Sequence, residues 1–519
     1  MDYILVQSKN NISFTGERCL HGNPGKNIGM LIKPSKQSGI RIWFPVDEIK
    51  EIILPDMMVI KGDALVKHYL EQKCSAKEVV NCESKAKVIL INLPVDSRMT
   101  TGDVGMEHYI PPMGLMLLSE LLELNGYSSH IIDLVAQPLS DQNLVNLIER
   151  EHPIIVGISA YTANINAVLN LARIIKKSCP NVKIVLGGPH VSLIPEDGMR
   201  SRYVDFIVMR EGESTIVELA EAISTNQATI AYSNINGLCY RSGSNFIKAE
   251  DRNLVKDLDI LPIVRRDPSI FNVENKLINV LTSRGCPGRC LYCAATILSG
   301  PKYRTRDIDS VFMEIVHLKT IFRKKFSVFF VDDTFTVVKE RVLRFTELIS
   351  FYSMDLTWQC DSRVDAMSKE LLLAMAQNGC LSVAYGIESG NQNVLDRINK
   401  KIDLNLVRKI IEFTKDAGMK VILNFMLGHF CDTKETMYDT INFIKEMVLS
   451  YDANILVTYN TPFPGTWQFE KREELGIRMP DNYDQFKLFE PIIETPDFSI
   501  SDQLEIGLKV APYINSNVV

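Results

Sequence analysis

The stretch Leu277-Ile278-Asn279-Val280-Leu281-Thr282-Ser283-Arg284-Gly285-Cys286-Pro287-Gly288-Arg289-Cys290-Leu291-Tyr292-Cys293 decides the fold. Its first five residues form a short apolar run suited to a buried parallel strand. Three cysteines follow on one loop with the spacing C-x3-C-x2-C. Three thiolates so placed bind three irons of a cubane, whereas four cysteines would bind all of them. The fourth iron stays open to an outside ligand. Gly285 and Gly288 let the backbone wrap closely round an inorganic cluster. The competing assignment is a zinc knuckle. Zinc wants four ligands, often as paired C-x2-C units, and no fourth Cys or His lies close in sequence.

Downstream of this loop, apolar runs at 327–331, 356–359, 381–386, 420–427 and 454–459 alternate with helical stretches. With residues 277–281 they make six strands, the pattern of a partial (β/α)6 TIM-type barrel spanning residues 276–470. Chemistry in such folds gathers at the strand C-terminal ends. Charged and glycine-containing segments stand at those ends: Val331-Asp332-Asp333-Thr334-Phe335, Asp361-Ser362-Arg363-Val364-Asp365, Tyr385-Gly386-Ile387-Glu388-Ser389-Gly390 and Phe463-Pro464-Gly465-Thr466. Any one of them alone reads as an ordinary solvated strand end. Together, in order, they form a pattern.

That pattern, with the cysteine spacing, resembles the radical SAM superfamily. The resemblance implies a [4Fe–4S] cluster on Cys286, Cys290 and Cys293, with S-adenosylmethionine (SAM) on the open iron. It further implies SAM contacts from Tyr292, Asp333, Arg363, Glu388 and Ser389. On that resemblance Tyr292 would lie near the adenine, Arg363 would pair bidentately with the carboxylate, and the acidic Glu388 would bind the ribose hydroxyls. One segment departs from the family. Leu427-Gly428-His429-Phe430-Cys431-Asp432-Thr433 stands where Gly-x-Pro-Gly-Glu is usual, so no SAM contact is carried over there.

Upstream, residues 87–225 alternate five strands with helices, as in a doubly wound Rossmann-like α/β domain whose ligands sit beyond the strand C-termini. Pro111-Pro112-Met113-Gly114-Leu115, Gly157-Ile158-Ser159-Ala160-Tyr161, Gly187-Gly188-Pro189-His190 and Arg210-Glu211-Gly212-Glu213 resemble the cobalamin-binding domain fused to one branch of these enzymes. Glycines at strand ends are common turn residues in any such fold, so the order of all four segments carries the resemblance. It implies cobalamin contacts from Ser159, Tyr161, Gly187, Gly188, Glu211 and Gly212. The Asp-x-His-x-x-Gly motif, whose histidine binds the lower cobalt face, is missing from residues 95–110. His108 stands there without the following Gly, and no axial ligand is assigned.

The expected organisation is a small N-terminal domain (1–84) of unassigned role and a cobalamin-binding domain (85–240). A linker (241–275), the barrel (276–470) and a C-terminal extension (471–519) follow. A net charge of −6 and a pI near 5.9 give no overall basic field for nucleic acid. No export signal or apolar run of about 18 residues is evident, so the expected location is the cytoplasm and no membrane is expected as partner. The 11 cysteines then read as thiols or ligands rather than a disulfide framework.

The function implied by the resemblance is a cobalamin-dependent radical SAM methyltransferase. It would act on an unactivated carbon of a small-molecule or peptide substrate, with flavodoxin or ferredoxin as electron donor. Related enzymes of the branch carry out cyclisation or rearrangement instead. A methylthiotransferase acting on tRNA or protein is another reading. It would need three N-terminal cysteines for a second cluster, and Cys74 and Cys82 sit in or beside a polar linker, before the α/β strands begin. A third is a sensor that has lost catalysis, against which the intact cysteine triad stands.

Overall fold

The computed structural model describes residues 84–95, 111–225, 232–266, 277–322 and 325–513, with the backbone of six strands before them. These six are β1 (Ile4–Ser8), β2 (Ser13–Gly22), β3 (Ile28–Lys33), β4 (Ile42–Pro45), β5 (Ile49–Ile53) and β6 (Val59–Lys61). They form one antiparallel sheet in the order β4-β3-β2-β1-β5-β6. The loop carrying His108 lies outside the described residues.

The second sheet holds β7 (Lys87–Asn92), β8 (Ser128–Asp133), β9 (Ile155–Ser159), β10 (Lys183–Gly187) and β11 (Phe206–Val208), all parallel, in the order β8-β7-β9-β10-β11. Helices run between them, among them Met113–Leu124, Asp141–Glu151 and Ile165–Ser178. Val88, Ile89, Leu90 and Ile91 are all buried, as a strand covered on both faces requires. The strand order is flavodoxin-like, with its switch point between β7 and β9, where a ligand crevice opens. Ser159 ends β9 at that crevice.

The sheet does not stop at residue 240. Within residues 238–248, β12 (Leu238–Ser242) and β13 (Asn245–Lys248) add to β11 as an antiparallel hairpin, with Gly243 at φ +62° in its turn. The expected linker therefore begins several residues later, after Lys248.

The third sheet is β14 (Leu277–Val280), β17 (Ser327–Phe330), β18 (Thr357–Ser362), β19 (Cys380–Glu388), β20 (Lys420–Leu427) and β21 (Asn454–Tyr459). All six are parallel and stand in sequence order, the topology of a partial barrel. Burial alternates along β18, with Trp358, Cys360 and Ser362 buried and Gln359 and Asp361 on the opposite face. Phe330, Phe335, Phe345 and Trp358 pack as an aromatic knot behind the sheet, with Phe330 and Phe335 stacked 4.3 Å apart. Between β14 and β17 lies a two-stranded hairpin, β15 (Ser283–Arg284) with β16 (Arg304–Thr305).

Residues 471–513, in the expected C-terminal extension, pack onto the barrel. Ile477, Phe486, Ile493, Phe498 and Ile506 belong to the barrel core, and Tyr483 packs against the cores of both the barrel and the cobalamin-type domain. Among the described residues, no helix is long and apolar enough to cross a membrane.

Candidate active site

The cysteine loop begins where β14 and β15 end, and Asp332 fixes that point. Its Oδ1 accepts the backbone N–H groups of Thr282 (2.7 Å) and Ser283 (3.0 Å), and its Oδ2 accepts the Thr282 hydroxyl. Gly285 sits at φ +89°, and a Cβ there would lie 2.4 Å from the Lys302 carbonyl, so only glycine fits. Cys286, Cys290 and Cys293 are free thiols of intermediate exposure. Burial pushes the Cys293 thiol up to about 11, so its proton must leave when metal binds.

A Cβ on Gly288 would stand 3.3 Å from Cys286 Sγ, 3.8 Å from Cys290 Sγ and 3.3 Å from Arg363 Nη1. The glycine therefore leaves a hollow between two thiols and a guanidinium. Among the described residues no three His, Cys, Asp or Glu side chains close round a single metal ion. Two thiols flank that hollow and the third, Cys293, lies near enough to feel the charge of both, so the residues present fit the implied cubane.

Around that hollow stand the other expected residues. Arg363 donates from Nε and Nη2 to the Asp365 carboxylate (2.9 and 2.8 Å), and from Nη2 to the Lys400 carbonyl (2.9 Å). Its Nη1 faces the Gly288 hollow. Glu388 ends β19 in a left-handed conformation (φ +73°) and pairs with Lys400 Nζ at 2.8 Å. Tyr292 packs its ring 5.4 Å from that of His429. Asp333 is exposed beside the cysteine loop, where the Gly285 N–H donates to it. Ser389 is fully buried. Its hydroxyl meets Thr440 Oγ1 (3.2 Å) and accepts the Asn391 N–H (3.1 Å), so it braces the Glu388 turn instead of facing the hollow.

Several residues went unread in the sequence. Leu291 N–H donates to the Ile398 carbonyl and Asn399 Nδ2 to the Arg289 carbonyl, so the 398–400 turn ties the cysteine loop to Arg363 and Glu388. Asn399 at φ +58° is the one local signal, since Asn tolerates that conformation. In the departing 427–433 segment, Asp432 accepts the His429 N–H (2.8 Å) and the Thr436 hydroxyl (2.7 Å). It pins the turn without Pro or a second Gly.

At the crevice of the second sheet, Gly188 has φ +99°, and a Cβ there would lie 2.8 Å from the Ala160 carbonyl and 3.1 Å from Ser159 Oγ. Gly187 has only the Val208 carbonyl within 4 Å of an added Cβ, at 3.7 Å, so a slot stays open above the end of β10. Tyr161 stands exposed beside it. Gly212 lies over Val208, 2.7 Å from its Cγ1 measured from an added Cβ. The Glu211 carboxylate points across to the barrel, where Arg304 Nη2 (2.7 Å) and Arg284 Nη1 (3.1 Å) reach it. Burial works against its charge, but the two arginines outweigh it and hold the carboxyl below its usual range.

Comparisons with known proteins match this architecture. Residues 103–220 match the B12 binding domain model and residues 280–444 the Radical SAM superfamily model. An uncharacterised methyltransferase of Pyrococcus horikoshii is 30% identical over 434 residues, covering 82% of this chain and 91% of the relative. This chain belongs to the cobalamin-binding radical SAM enzymes. Anaerobic magnesium-protoporphyrin IX monomethyl ester cyclase of Rubrivivax gelatinosus is 26% identical over 400 residues, covering 75% of this chain and 70% of the relative. Among solved structures, the radical SAM methyltransferase TsrM of Kitasatospora setae, with cobalamin and [4Fe–4S] cluster bound, shares the fold. Its TM-score is 0.66 at 15% identity, over 83% of this chain and 89% of TsrM. As a member of this family, the chain is an enzyme that uses a [4Fe–4S] cluster, SAM and cobalamin.

Proposed function

We propose that this cobalamin-binding radical SAM enzyme methylates an unactivated carbon of a small-molecule or peptide substrate. The observation that carries the reading is the Gly288 hollow, shared by two loop thiols and Arg363, on a barrel locked to a cobalamin-type domain. When bound, the cluster supplies an electron that cleaves SAM, and cobalamin supplies the methyl group.

The chain's own residues bind and align. Cys286, Cys290 and Cys293 would hold the cluster as thiolates. Arg363, fixed by Asp365, would present its free Nη1 to the SAM carboxylate, and Glu388 would face the ribose hydroxyls. Tyr292 would flank the adenine, and Asp333 would line the mouth beside the cysteine loop. Ser159, Gly187 and Gly188 would line the slot for the cobalamin nucleotide tail, with Tyr161 at its mouth. The backbone of Glu211 and Gly212 would meet the corrin rim. Flavodoxin or ferredoxin would deliver the electron, and an oxygen-sensitive cluster suits the reducing cytoplasm.

The test is anaerobic reconstitution with SAM bearing a CD3 group, followed by mass analysis of products and of 5′-deoxyadenosine. A CD3-labelled product together with 5′-deoxyadenosine is expected. The likeness to the cyclase supports a second reading. Under it, 5′-deoxyadenosine forms and no label enters the product. Reconstituted protein that leaves SAM intact under strong reductant overturns both.

A further inference from the structure

Hairpin β15–β16 places Arg284 directly opposite Arg304. Two like charges across a pair repel each other unless an anion is shared between them. Here the anions come from the other domain. Glu211 Oε1 lies 2.7 Å from Arg304 Nη2 and 3.1 Å from Arg284 Nη1, its Oε2 lies 3.1 Å from Arg304 Nη1, and Glu213 takes Arg284 Nη2. Glu211 Oε2 also accepts the Val255 N–H at 2.7 Å, and Arg304 donates to the Ser299 carbonyl at 2.7 Å. The four charged side chains are between 7% and 14% exposed, so water screens them little.

Two positive and two negative groups balance, yet burying them is a costly way to join two domains. Apolar contacts of the same area would hold as tightly without the desolvation penalty. Such a cluster supplies direction, because Arg304 donates both prongs of its fork to Glu211 in one plane while Arg284 spans Glu211 and Glu213. Its place in the chain gives that direction a use. Arg284 precedes Gly285-Cys286, the start of the cysteine loop, and Glu211 and Glu213 flank Gly212, at the turn after β11.

We propose that Glu211, Glu213, Arg284 and Arg304 form a positioning clamp that fixes the spacing between the iron–sulfur cluster and the corrin. The inference rests on the functional reading above. Methyl transfer between cofactors on separate domains depends on that spacing, since misplacement by about 1 Å costs on the order of a hundredfold in rate. SAM cleavage at the cluster needs only the barrel, so the clamp should matter to one reaction and not the other.

The test is Arg304→Gln in the reconstituted holoenzyme, with iron and corrinoid content measured first. With the cluster reduced and the cobalt held as Co(II), both centres are paramagnetic and pulsed dipolar EPR reads their separation. A single narrow distance is expected for the unaltered protein and a broadened or shifted one for Arg304→Gln at equal cofactor content. Formation of S-adenosylhomocysteine from SAM and the chemically reduced corrinoid should fall at least tenfold. Release of 5′-deoxyadenosine without substrate should stay within twofold, and Arg304→Lys should restore part of the loss. Glu213→Gln, which keeps the side chain's shape and touches only the Arg284 pair, repeats the test if Arg304→Gln does not fold. An unchanged distance distribution, or equal loss of both reactions in step with thermal stability, overturns the clamp. Unaltered protein that holds no corrinoid overturns the functional reading and the clamp with it; bound corrinoid with unchanged spacing in the variants overturns the clamp alone.

Discussion

Lys400 places its ammonium 2.8 Å from Glu388 Oε1, and the two side chains are only 7% and 13% exposed. The pair lies directly over Gly386, where a Cβ would fall 2.6 Å from the carboxylate and 2.9 Å from Nζ. Glu388 thus waits at the end of β19 already oriented and charge-balanced. Lys400→Met leaves that carboxylate without its cation and costs about 3 kcal/mol. A clear drop in Tm is expected by calorimetry, with weaker SAM binding by equilibrium dialysis and unchanged iron content.

Gly288→Ala puts a methyl group into the hollow between Cys286 Sγ and Arg363 Nη1, each 3.3 Å from the new carbon. The backbone there is not left-handed, so the chain folds and the effect is local. Iron content after reconstitution should fall well below that of the unaltered protein, and 5′-deoxyadenosine formation with it. Corrinoid content should not change.

Gly188→Ala is the mirror experiment. Its φ of +99° and the 2.8 Å approach to the Ala160 carbonyl make any side chain strained, by about 1–3 kcal/mol. The ends of β9 and β10 move apart, and corrinoid retained after gel filtration should drop. The iron content and SAM cleavage of the barrel should remain.

Asp361 gives a pH signature. It lies on the inner face of β18, opposite Ala384, with no hydrogen-bond partner for its carboxylate among the described residues. Burial, and then the nearby Asp332, raise it from 3.8 to about 6. A carboxyl raised on folding destabilises the fold above its folded value, and that cost fades as pH falls toward its unfolded value. Asp361→Asn should therefore be more stable than the unaltered protein at pH 7–8, by about 2 kcal/mol. The gap should close between pH 6 and pH 4, as read from denaturant midpoints of the apoprotein.

Much of the fold was legible because buried parallel strands announce themselves. Runs such as Val88–Ile91 and Val421–Leu427 are apolar or alternate cleanly, and a short cysteine loop stands out by spacing alone. The hairpin after residue 237 was not legible, since Leu238–Ser242 is short and ends in polar residues. The Arg284–Glu213 and Arg304–Glu211 pairs span 71 and 93 residues, and charges that far apart leave no periodic trace. Ser389 shows the opposite limit. It sits inside a recognisable motif, yet its hydroxyl turns to Thr440 on a later helix, a choice made by packing.

The segment after β21 closes what precedes it. Leu488 accepts the Tyr459 N–H and Lys487 the Thr461 hydroxyl, capping the end of the edge strand β21, while Gln503 seats against Gly428 at the end of β20. These residues leave the ribosome after everything they seal. Until they emerge, the end of β21 is uncapped and the turn beside Tyr292 has no backing. The last strand of the barrel is accordingly finished by residues that follow it in the chain.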